Sequence, residues 1–230
     1  MNRILIISAH PDDDILGCGG LLSKIRDAEK SVKVVFLAEG SSCRFPSNEI
    51  SSNIVSSEIY NRNRCGKKAL QYLGVNEFEF YNFPCGRLDT LPIIDINKII
   101  EQEITKFRPD TVFTHSMLDA NNDHKIVNKA TLMATRPLPN SGINNVYSYE
   151  VLSSSEWNFG GGQFEPNLFV ELNEKQVSEK IHALKIYASE MRDYPFPRSG
   201  EGVRINCQYR GMQVGVKYAE AFRVLRSTIT

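Results

Sequence analysis

One imidazole and three carboxylates fall within five consecutive positions near the start of the chain. The segment reads His10-Pro11-Asp12-Asp13-Asp14. A His and an Asp three positions apart can both bind one divalent cation, and a carboxylate between them can act on a water that the cation binds. The alternative is that the three acids only cap a helix and that His10 is a surface residue. The segment alone leaves both interpretations open.

The residues around this segment predict a strand before it and a helix after it. Ile4 to Ile7 form a short apolar run that is typical of a buried strand, and Pro11 prevents the strand from continuing. Apolar residues then recur at helical spacing from Ile15 to Ile25. The acids therefore lie in a strand-to-helix turn, where a helix N-terminus favours carboxylates and where open α/β sheets bind ligands.

A second strand-to-helix turn carries two of the four histidines in the chain. His115 follows the segment 111–113, and His124 precedes a helical pattern that starts near Ile126. Two such turns at one sheet edge can converge on a single metal ion. The second turn therefore favours a metal site over helix capping alone.

Together these two turns resemble the LmbE/PIG-L family of zinc-dependent N-deacetylases. The resemblance rests on Ala-His-Pro-Asp-Asp near the start of the chain and a later Asp-His pair that opens a helix. It implies one Zn²⁺ per chain, held by His10, Asp13 and His124, with Asp12 as the base that takes a proton from the attacking water. The implied reaction removes an N-acetyl group from a conjugate of an amino sugar such as N-acetylglucosamine, giving acetate and a free amine.

The resemblance also implies three substrate contacts, Arg62, Asp89 and Arg198. Many relatives have an acid directly after the Pro of the turn 83–89. This chain has Cys85 there, so we expect Asp89 to take over the role. The alternative for both arginines is a solvated surface charge.

Other positions either depart from the family pattern or surround its ligands. Asn121 stands where relatives have a His that steadies the tetrahedral intermediate, and its amide can donate a hydrogen bond to an oxyanion but cannot donate a proton. His115 is the other candidate for this role, with a buried strand end as its alternative. Phe196 replaces a further family His. We expect Asp123 and Asp14 to support the ligands from outside, and Asp14 has helix capping as its alternative.

Length and composition are those of one soluble α/β domain. The 230 residues are 41% hydrophobic and 23% charged, with 27 basic and 27 acidic side chains. This balance gives no general attraction to nucleic acid or acidic membranes, so the expected partner is a small molecule. We predict a single LmbE/PIG-L-like deacetylase domain over residues 1–230. Its fold should be Rossmann-like, with three α/β/α layers, a mostly parallel sheet and the metal site at the carboxyl edge of the strands.

The cysteines and the short apolar segments bear on location. Five cysteines are an odd number and form no C-x-x-C pair, so they predict free thiols rather than a disulfide framework. No segment approaches the length of a membrane span or a signal-peptide core, which makes the cytoplasm the expected compartment. The resemblance is also compatible with a homo-oligomer, because relatives frequently assemble.

The remaining chain predicts further alternation of strands and helices. Strands are expected at 32–37, 78–81, 146–149 and 168–172, and helices at 57–73, 96–107 and 173–191. A last helix is expected from about Met212, because apolar residues follow at Val214, Tyr218, Phe222 and Leu225. His182, among lysines, is expected at the surface.

Two other functions remain open on the sequence. Two His and one carboxylate also describe an Fe(II) oxygenase, which would consume oxygen and an oxoacid and would have no use for Asp12. A non-catalytic sugar-binding protein of the same fold is the second alternative, because Asn121 and Phe196 replace family histidines. The joint presence of three ligands and a base argues for the enzyme.

Overall fold

Seven strands form one sheet in the computed structural model, which describes residues 1–28, 30–139 and 141–229. The strands are β1 (Arg3–Ser8), β2 (Ser31–Ala38), β3 (Glu77–Phe83), β4 (Thr111–His115), β5 (Asn145–Tyr149), β6 (Leu168–Leu172) and β7 (Tyr218–Ser227). Their order in the sheet is β3-β2-β1-β4-β5-β7-β6. Strands β1 to β5 pair in parallel, whereas β7 runs antiparallel to both β5 and β6.

Six α-helices cover the two faces of this sheet. They are α1 (Asp13–Ile25), α2 (Asn53–Tyr72), α3 (Ile93–Phe107), α4 (Asn122–Ala134), α5 (Glu174–Lys185) and α6 (Gly200–Met212). Alternate residues of β1 point to opposite faces, so Ile4 and Ile6 pack with α1, α2, α5 and α6, while Leu5 and Ile7 pack with α3 and α4. This arrangement confirms the predicted three-layer α/β/α fold. Among the helices of the described ranges, none is long and apolar enough to cross a membrane.

The order of the strands places the two polar turns side by side. From β1 the chain moves outward through β2 to β3, and then returns to β4 on the other side of β1. The chain thus leaves β1 toward one edge of the sheet and leaves β4 toward the other edge. Where the connections after two neighbouring parallel strands diverge in this way, a crevice opens at the carboxyl ends of the strands, and ligands of open α/β sheets bind there. The turn after β1 and the turn after β4 therefore open into the same crevice.

Most predicted elements are present, although several helix ends differ. Helix α2 begins at Asn53, four residues before the predicted start, because Ser52 caps it by accepting the backbone N–H of Val55. It ends as predicted before Gly74, whose φ of 82° suits a residue just past a helix end. Helix α5 ends at Lys185, and the predicted extension to Met191 is wrong.

The predicted C-terminal helix is also wrong. Helix α6 ends where that helix was expected to begin, and Tyr218–Ser227 forms strand β7. Phe222 lies opposite Tyr149 of β5 and Leu168 of β6. The first five residues of β7 are all buried, so apolar side chains occupy both of its faces and hide the two-residue alternation that marks a half-buried strand.

Candidate active site

The turn between β1 and α1 folds the acidic segment back over the end of the strand. The backbone N–H of His10 donates to Oδ2 of Asp13 over 2.8 Å, and the backbone N–H of Asp13 donates to the carbonyl of His10 over 3.2 Å. Asp12, between them, has a φ of 122°, which non-glycine residues rarely adopt. Strained residues of this kind persist only where the surrounding contacts impose them, and they cluster at active sites.

His10, Asp13 and His124 bring three donor atoms together at the carboxyl ends of β1 and β4. Nδ1 of His10 lies 3.2 Å, and Nε2 of His124 lies 3.3 Å, from the same oxygen, Oδ2 of Asp13. The three side chains are buried and their donor atoms lie within 4.8 Å of one another. Ligands of one tetrahedral metal ion at roughly 2.0–2.2 Å are about 3.4 Å apart. The donor set therefore fits a single divalent cation.

A carboxylate holds the far nitrogen of each imidazole in this set. Nε2 of His10 lies 3.0 Å from Oδ2 of Asp123, and Nδ1 of His124 lies 3.2 Å from Oδ1 of Asp119. Carboxylates in this position fix the tautomer and orientation of a metal-binding imidazole. Nδ1 of His10 and Nε2 of His124 are thereby left to face Asp13.

Asp119 is a supporting residue that the sequence analysis missed. Its carboxylate accepts the hydroxyls of Ser154 and Ser155, the latter over 2.7 Å, and the backbone N–H of Asn121 over 2.8 Å. Its only signal in the sequence is a position five residues before His124. Nothing in the sequence shows that the serines after β5 would reach it.

Buried carboxylates dominate the electrostatics of the donor set. Burial by itself lowers the pKa of His124, but Asp13 and Asp119 outweigh it and raise that pKa to about 10. Burial is likewise outweighed at His10, whose hydrogen bonds to Asp123 and Asp13 raise its pKa to about 9. Burial raises the pKa of Asp119, yet the contact with His124 brings it down to about 2. Groups that stabilise two positive charges in this way also favour a divalent cation.

His115 lies behind the donor set rather than in it. The ring is fully buried at the end of β4, and its centroid lies 4.0 Å from that of His124, with the two rings stacked. Nε2 accepts the backbone N–H of Ala9 over 2.8 Å. Burial and the neighbouring His124 hold the pKa of His115 well below its ordinary value. These contacts match the buried strand-end alternative, since a neutral ring packs between β1 and α4.

Two guanidinium groups hold the carboxylate of Asp12. Nη2 of Arg62 lies 3.1 Å from Oδ1, and Nη1 of Arg198 lies 2.8 Å from Oδ2. Nε of Arg62 also donates to the carbonyl of Pro11, and Nε of Arg198 donates to the carbonyl of Leu152. Burial raises the pKa of Asp12, and the two arginines oppose that effect. Neither arginine is the solvated charge of the alternative interpretation, and substrate binding by them stays a prediction.

Glu190 connects this pair of arginines to the loop after β2. Its carboxylate accepts two bonds from Nη2 of Arg44, at 2.8 and 2.7 Å, and also pairs with Nη1 of Arg62. Arg198 lies 3.8 Å away. Burial raises the pKa of Glu190, but the arginines outweigh it and lower that pKa. The sequence analysis missed Glu190 because it lies in the segment wrongly assigned to α5.

Asp14 does not cap helix α1. The N-cap residue is Asp12, the helix begins at Asp13, and Asp14 lies inside the first turn with its side chain buried. Oδ1 of Asp14 accepts the backbone N–H of Asp12 over 3.3 Å. Burial, reinforced by the charge of Asp12, raises the pKa of Asp14 well above its ordinary value. The capping alternative is therefore wrong, and the observed contact supports the strained turn.

Asn121 and Asp89 both lie outside the donor set. Asn121 caps α4, and its Oδ1 accepts the backbone N–H of Asp123 over 2.9 Å, which leaves its NH₂ group free of that role. Asp89 is exposed in the single 3₁₀ turn Leu88–Thr90. Catalysis by Asn121 and substrate binding by Asp89 stay predictions.

A second set of three possible donors shares His10 with the first. It contains His10, Cys85 and Asp123. In this set Nε2 of His10 and Oδ2 of Asp123 are already hydrogen-bonded to each other, and Oδ2 of Asp123 also accepts the N–H of Gly86 over 2.6 Å. In the first set Oδ1 of Asp13 has no hydrogen-bond partner among the described residues, and two imidazoles rather than one face the carboxylate, so this set is the better cation site.

A cavity of about 240 Å³ opens beside Arg198, which contacts Asp12. It is lined by Arg44, Ser153, Ser189, Glu190, Arg192, Phe196 and Arg198. Other cavities of about 440, 580 and 480 Å³ share no lining residue with the donor set or with the cluster of Arg62, Glu190 and Arg198. The 240 Å³ cavity therefore adjoins the cluster around Asp12 at Arg198, and a cavity of about 40 Å³ adjoins the same cluster at Arg62.

A protein family and an individual relative both match this sequence, and both are described as deacetylases. A family described as "PIG-L: GlcNAc-PI de-N-acetylase" matches residues 5–135, more than half of the 230-residue chain. An uncharacterized deacetylase of Escherichia coli K12, YaiS, is 28% identical over 191 residues, which is 81% of this chain and 90% of the relative.

Solved structures match the fold over almost the whole chain. An N,N'-diacetylchitobiose deacetylase from Pyrococcus horikoshii has a TM-score of 0.77 at 20% identity, covering 98% of this chain and 84% of that one. GalB, a 4-carboxy-2-hydroxymuconate hydratase from Pseudomonas putida KT2440, also reaches 0.77 at 19% identity, covering 100% and 98%. A deacetylase and a hydratase match equally well, so the fold alone does not identify the reaction, which depends on the residues of the site.

Proposed function

The chain belongs to the PIG-L family, described as GlcNAc-PI de-N-acetylases, and we propose that it is a metal-dependent N-deacetylase of an amino-sugar conjugate. The observation that carries the proposal is the buried donor set of His10, Asp13 and His124 next to Asp12. The products would be acetate and a free amine. Two imidazoles and one carboxylate are ligands typical of a catalytic Zn²⁺, and we propose one ion per chain.

The donor set is prepared for a cation by its own surroundings. A divalent ion bound there would polarise the amide carbonyl and lower the pKa of a bound water. Asp123 holds the far nitrogen of His10, and Oδ1 of Asp119 lies 3.2 Å from the far nitrogen of His124, so in the neutral rings the nitrogens that face Asp13 would carry lone pairs. Oδ1 of Asp13 has no hydrogen-bond partner among the described residues, which leaves it available as well.

Asp12 is proposed to accept the proton of the attacking water and to pass it to the leaving nitrogen. The strained turn positions its carboxylate, and Arg62 and Arg198 hold the two carboxylate oxygens. The oxygen of Asn121 caps α4, so its NH₂ group is the part that would donate to the developing oxyanion.

The substrate is proposed to approach through the cavity beside Arg198, with Arg62 and Asp89 as further contacts. Glu190 and Arg198 lie beyond the matched residues 5–135, yet both belong to the cluster around Asp12. We therefore propose that residues 1–230 act as one deacetylase domain.

The experiment that tests this function combines metal analysis with acetate release. The purified protein would be analysed for zinc and incubated with N-acetylglucosamine, N,N'-diacetylchitobiose and inositol or nucleotide conjugates of N-acetylglucosamine. We expect about one zinc per chain and acetate from at least one conjugate. Asp12→Asn should retain zinc and lose about 10²–10⁴-fold in turnover. Asp27→Asn, at a side chain that is 87% exposed, is the matched control.

Each alternative gives a different result in the same experiment. A sugar-binding protein would bind a conjugate without releasing acetate, and an Fe(II) oxygenase would consume oxygen with an oxoacid. Acetate release that survives Asp12→Asn would remove Asp12 from its role as base. A protein that binds no metal before or after His10→Ala would refute the mechanism.

A further inference from the structure

Two cysteines from different loops meet at the edge of the candidate active site. Cys43 lies in the single 3₁₀ turn Ser42–Arg44 after β2, and Cys85 follows β3. Their sulfur atoms are 3.2 Å apart. The sequence analysis predicted free thiols, because the cysteines are odd in number and form no C-x-x-C pair.

Glu39 holds the two loops together at this point. Its carboxylate accepts the backbone N–H groups of Ser41 and Ser42, at 2.5 and 2.9 Å, and the backbone N–H of Cys85 at 2.8 Å. The Glu39 side chain is buried, so these bonds are shielded from water. The approach of the two sulfur atoms therefore follows from fixed backbone contacts rather than from two mobile side chains.

The two thiols differ in the way that an attacking and a resolving cysteine differ. Cys43 is exposed, and the hydrogen bond from Cys85 lowers its pKa to about 6. Cys85 is only 5% exposed and its pKa is raised by the same bond and by burial. An accessible thiolate beside a protected thiol is the usual arrangement of an oxidisable pair. Of the other cysteines, Cys18 and Cys207 are buried and Cys65 is half-buried.

We propose that Cys43 and Cys85 form a peroxide-sensitive dithiol that closes to a disulfide. The Cys43 thiolate attacks one peroxide oxygen, so that an S–O bond forms, the O–O bond breaks, and the departing hydroxide takes a proton to become water. The Cys85 sulfur then attacks the sulfenic sulfur, an S–S bond forms, and the second oxygen leaves as water with the Cys85 proton. Two thiols lose two electrons, and one hydrogen peroxide is reduced to two waters.

The disulfide would act on the donor set through the turn that carries Cys85. The backbone N–H groups of Gly86 and Leu88 hold Asp123, at 2.6 and 3.1 Å, and Asp123 in turn holds His10 at 3.0 Å. Bond formation shortens the sulfur separation from 3.2 Å to about 2.05 Å. We infer that the turn follows Cys85, so that the support of His10 moves with it. This consequence for turnover rests on the proposed deacetylase function, whereas disulfide formation does not.

The first experiment detects disulfide formation without measuring enzymatic activity. The zinc-loaded protein would be treated with one equivalent of hydrogen peroxide, alkylated, digested and mapped by mass spectrometry. We expect a cross-linked peptide that joins Cys43 to Cys85, with the loss of two hydrogen atoms. The link should disappear in Cys43→Ser and in Cys85→Ser, and it should persist in the control Cys65→Ser. Oxidation of Cys43 to a sulfinic acid with Cys85 still alkylated would overturn the proposal.

The second experiment measures how oxidation of the two cysteines affects zinc binding by the donor set. Oxidation should weaken zinc retention about 10–100-fold, as loss of an outer carboxylate contact does, when zinc is titrated against a chromogenic chelator. Acetate release should fall in parallel and recover with dithiothreitol, and Cys43→Ser should resist peroxide. A cross-link with unchanged zinc affinity and turnover would overturn the coupling to His10. If no conjugate is hydrolysed at all, the zinc titration still tests the coupling.

Discussion

Oδ1 of Asp119 lies 3.2 Å from Nδ1 of His124, on the side of the ring away from Asp13. Two serine hydroxyls, from Ser154 and Ser155, hold the carboxylate in turn. A continuous and buried series of side-chain contacts therefore runs from the loop after β5 to the donor set. His124 is oriented by the protein itself, before a cation binds.

Asp119→Asn should weaken zinc binding about 10–100-fold, because the amide is a poorer acceptor for the imidazole N–H than the carboxylate is. Competition with a chromogenic chelator measures the change. Ser155→Ala removes one of the bonds to Asp119 and should give a smaller loss in the same direction. Unchanged zinc affinity in a folded Asp119→Asn protein would show that the contact does not support a metal ligand.

Removal of the metal should lower the thermal stability of the protein. A ligand that binds only the folded state at 100 times its Kd stabilises that state by about 2.7 kcal/mol. Differential scanning calorimetry with and without a chelator should show a Tm drop of several degrees in the wild type. His10→Ala should show no chelator effect, because it lacks one of the three donors. An equal response in the two proteins would place the stabilising metal elsewhere.

Glu190→Gln should reduce kcat by about tenfold while zinc content and KM change little. The reason is positional, since Glu190 pairs with Arg62, which in turn contacts Asp12. Glu179→Gln is the matched control, because Glu179 also pairs with an arginine, Arg26 at 3.0 Å, but away from Asp12. A normal kcat in Glu190→Gln would show that Arg62 holds Asp12 without help.

Glu103 should make stability depend on pH independently of the active site. Its carboxylate is buried against Lys33, at 2.6 Å, and accepts the hydroxyl of Tyr81. Burial raises its pKa, but these partners outweigh burial and lower the pKa below its ordinary value of 4.5. The folded state therefore binds the proton less readily than the unfolded state. The stabilisation is present above about pH 4.5 and is lost as the pH falls through the lower, folded-state pKa.

Glu103→Gln should accordingly destabilise the protein by about 3 kcal/mol near neutral pH, because it leaves the buried Lys33 without its carboxylate. Urea unfolding at neutral and acidic pH should show this difference shrinking as the pH falls below about 4.5. Glu101→Gln in the same helix changes only the pairs with Lys98 and Arg136, which are exposed, and serves as the control. A difference that stays constant with pH would contradict the assigned ion pair.

The part of the site that the sequence predicted depends on local spacing and on one rule of topology. His10 and Asp13 belong to a single turn, so their proximity follows from the turn itself. His124 joins them because β1 and β4 are neighbours in the sheet. Contacts that depend on the path of long loops could not be predicted in this way. Glu190 reaches Arg62 across 128 positions, and no periodicity in the sequence links the two.

The wrong assignments share a physical cause. In the segment 212–225, apolar residues recur at helical spacing. The same residues are also compatible with a strand whose two faces are both buried. Asp14 has a residue type that favours capping, but the strained φ of Asp12 starts the helix two residues earlier than capping by Asp14 requires. In both cases tertiary contacts override a local preference.

The position of β7 between β5 and β6 has a consequence for synthesis of the chain. Among the described strands, β6 pairs with β7 alone. It therefore cannot join the sheet until Tyr218–Ser227 has left the ribosome. Until then, β5 exposes an unpaired edge. Glu220 of β7 also accepts the backbone N–H groups of Gly20 and Leu21 in α1. Strand β7, the last strand among the described residues, thus joins β5 and β6 to the helix that starts at the candidate metal site.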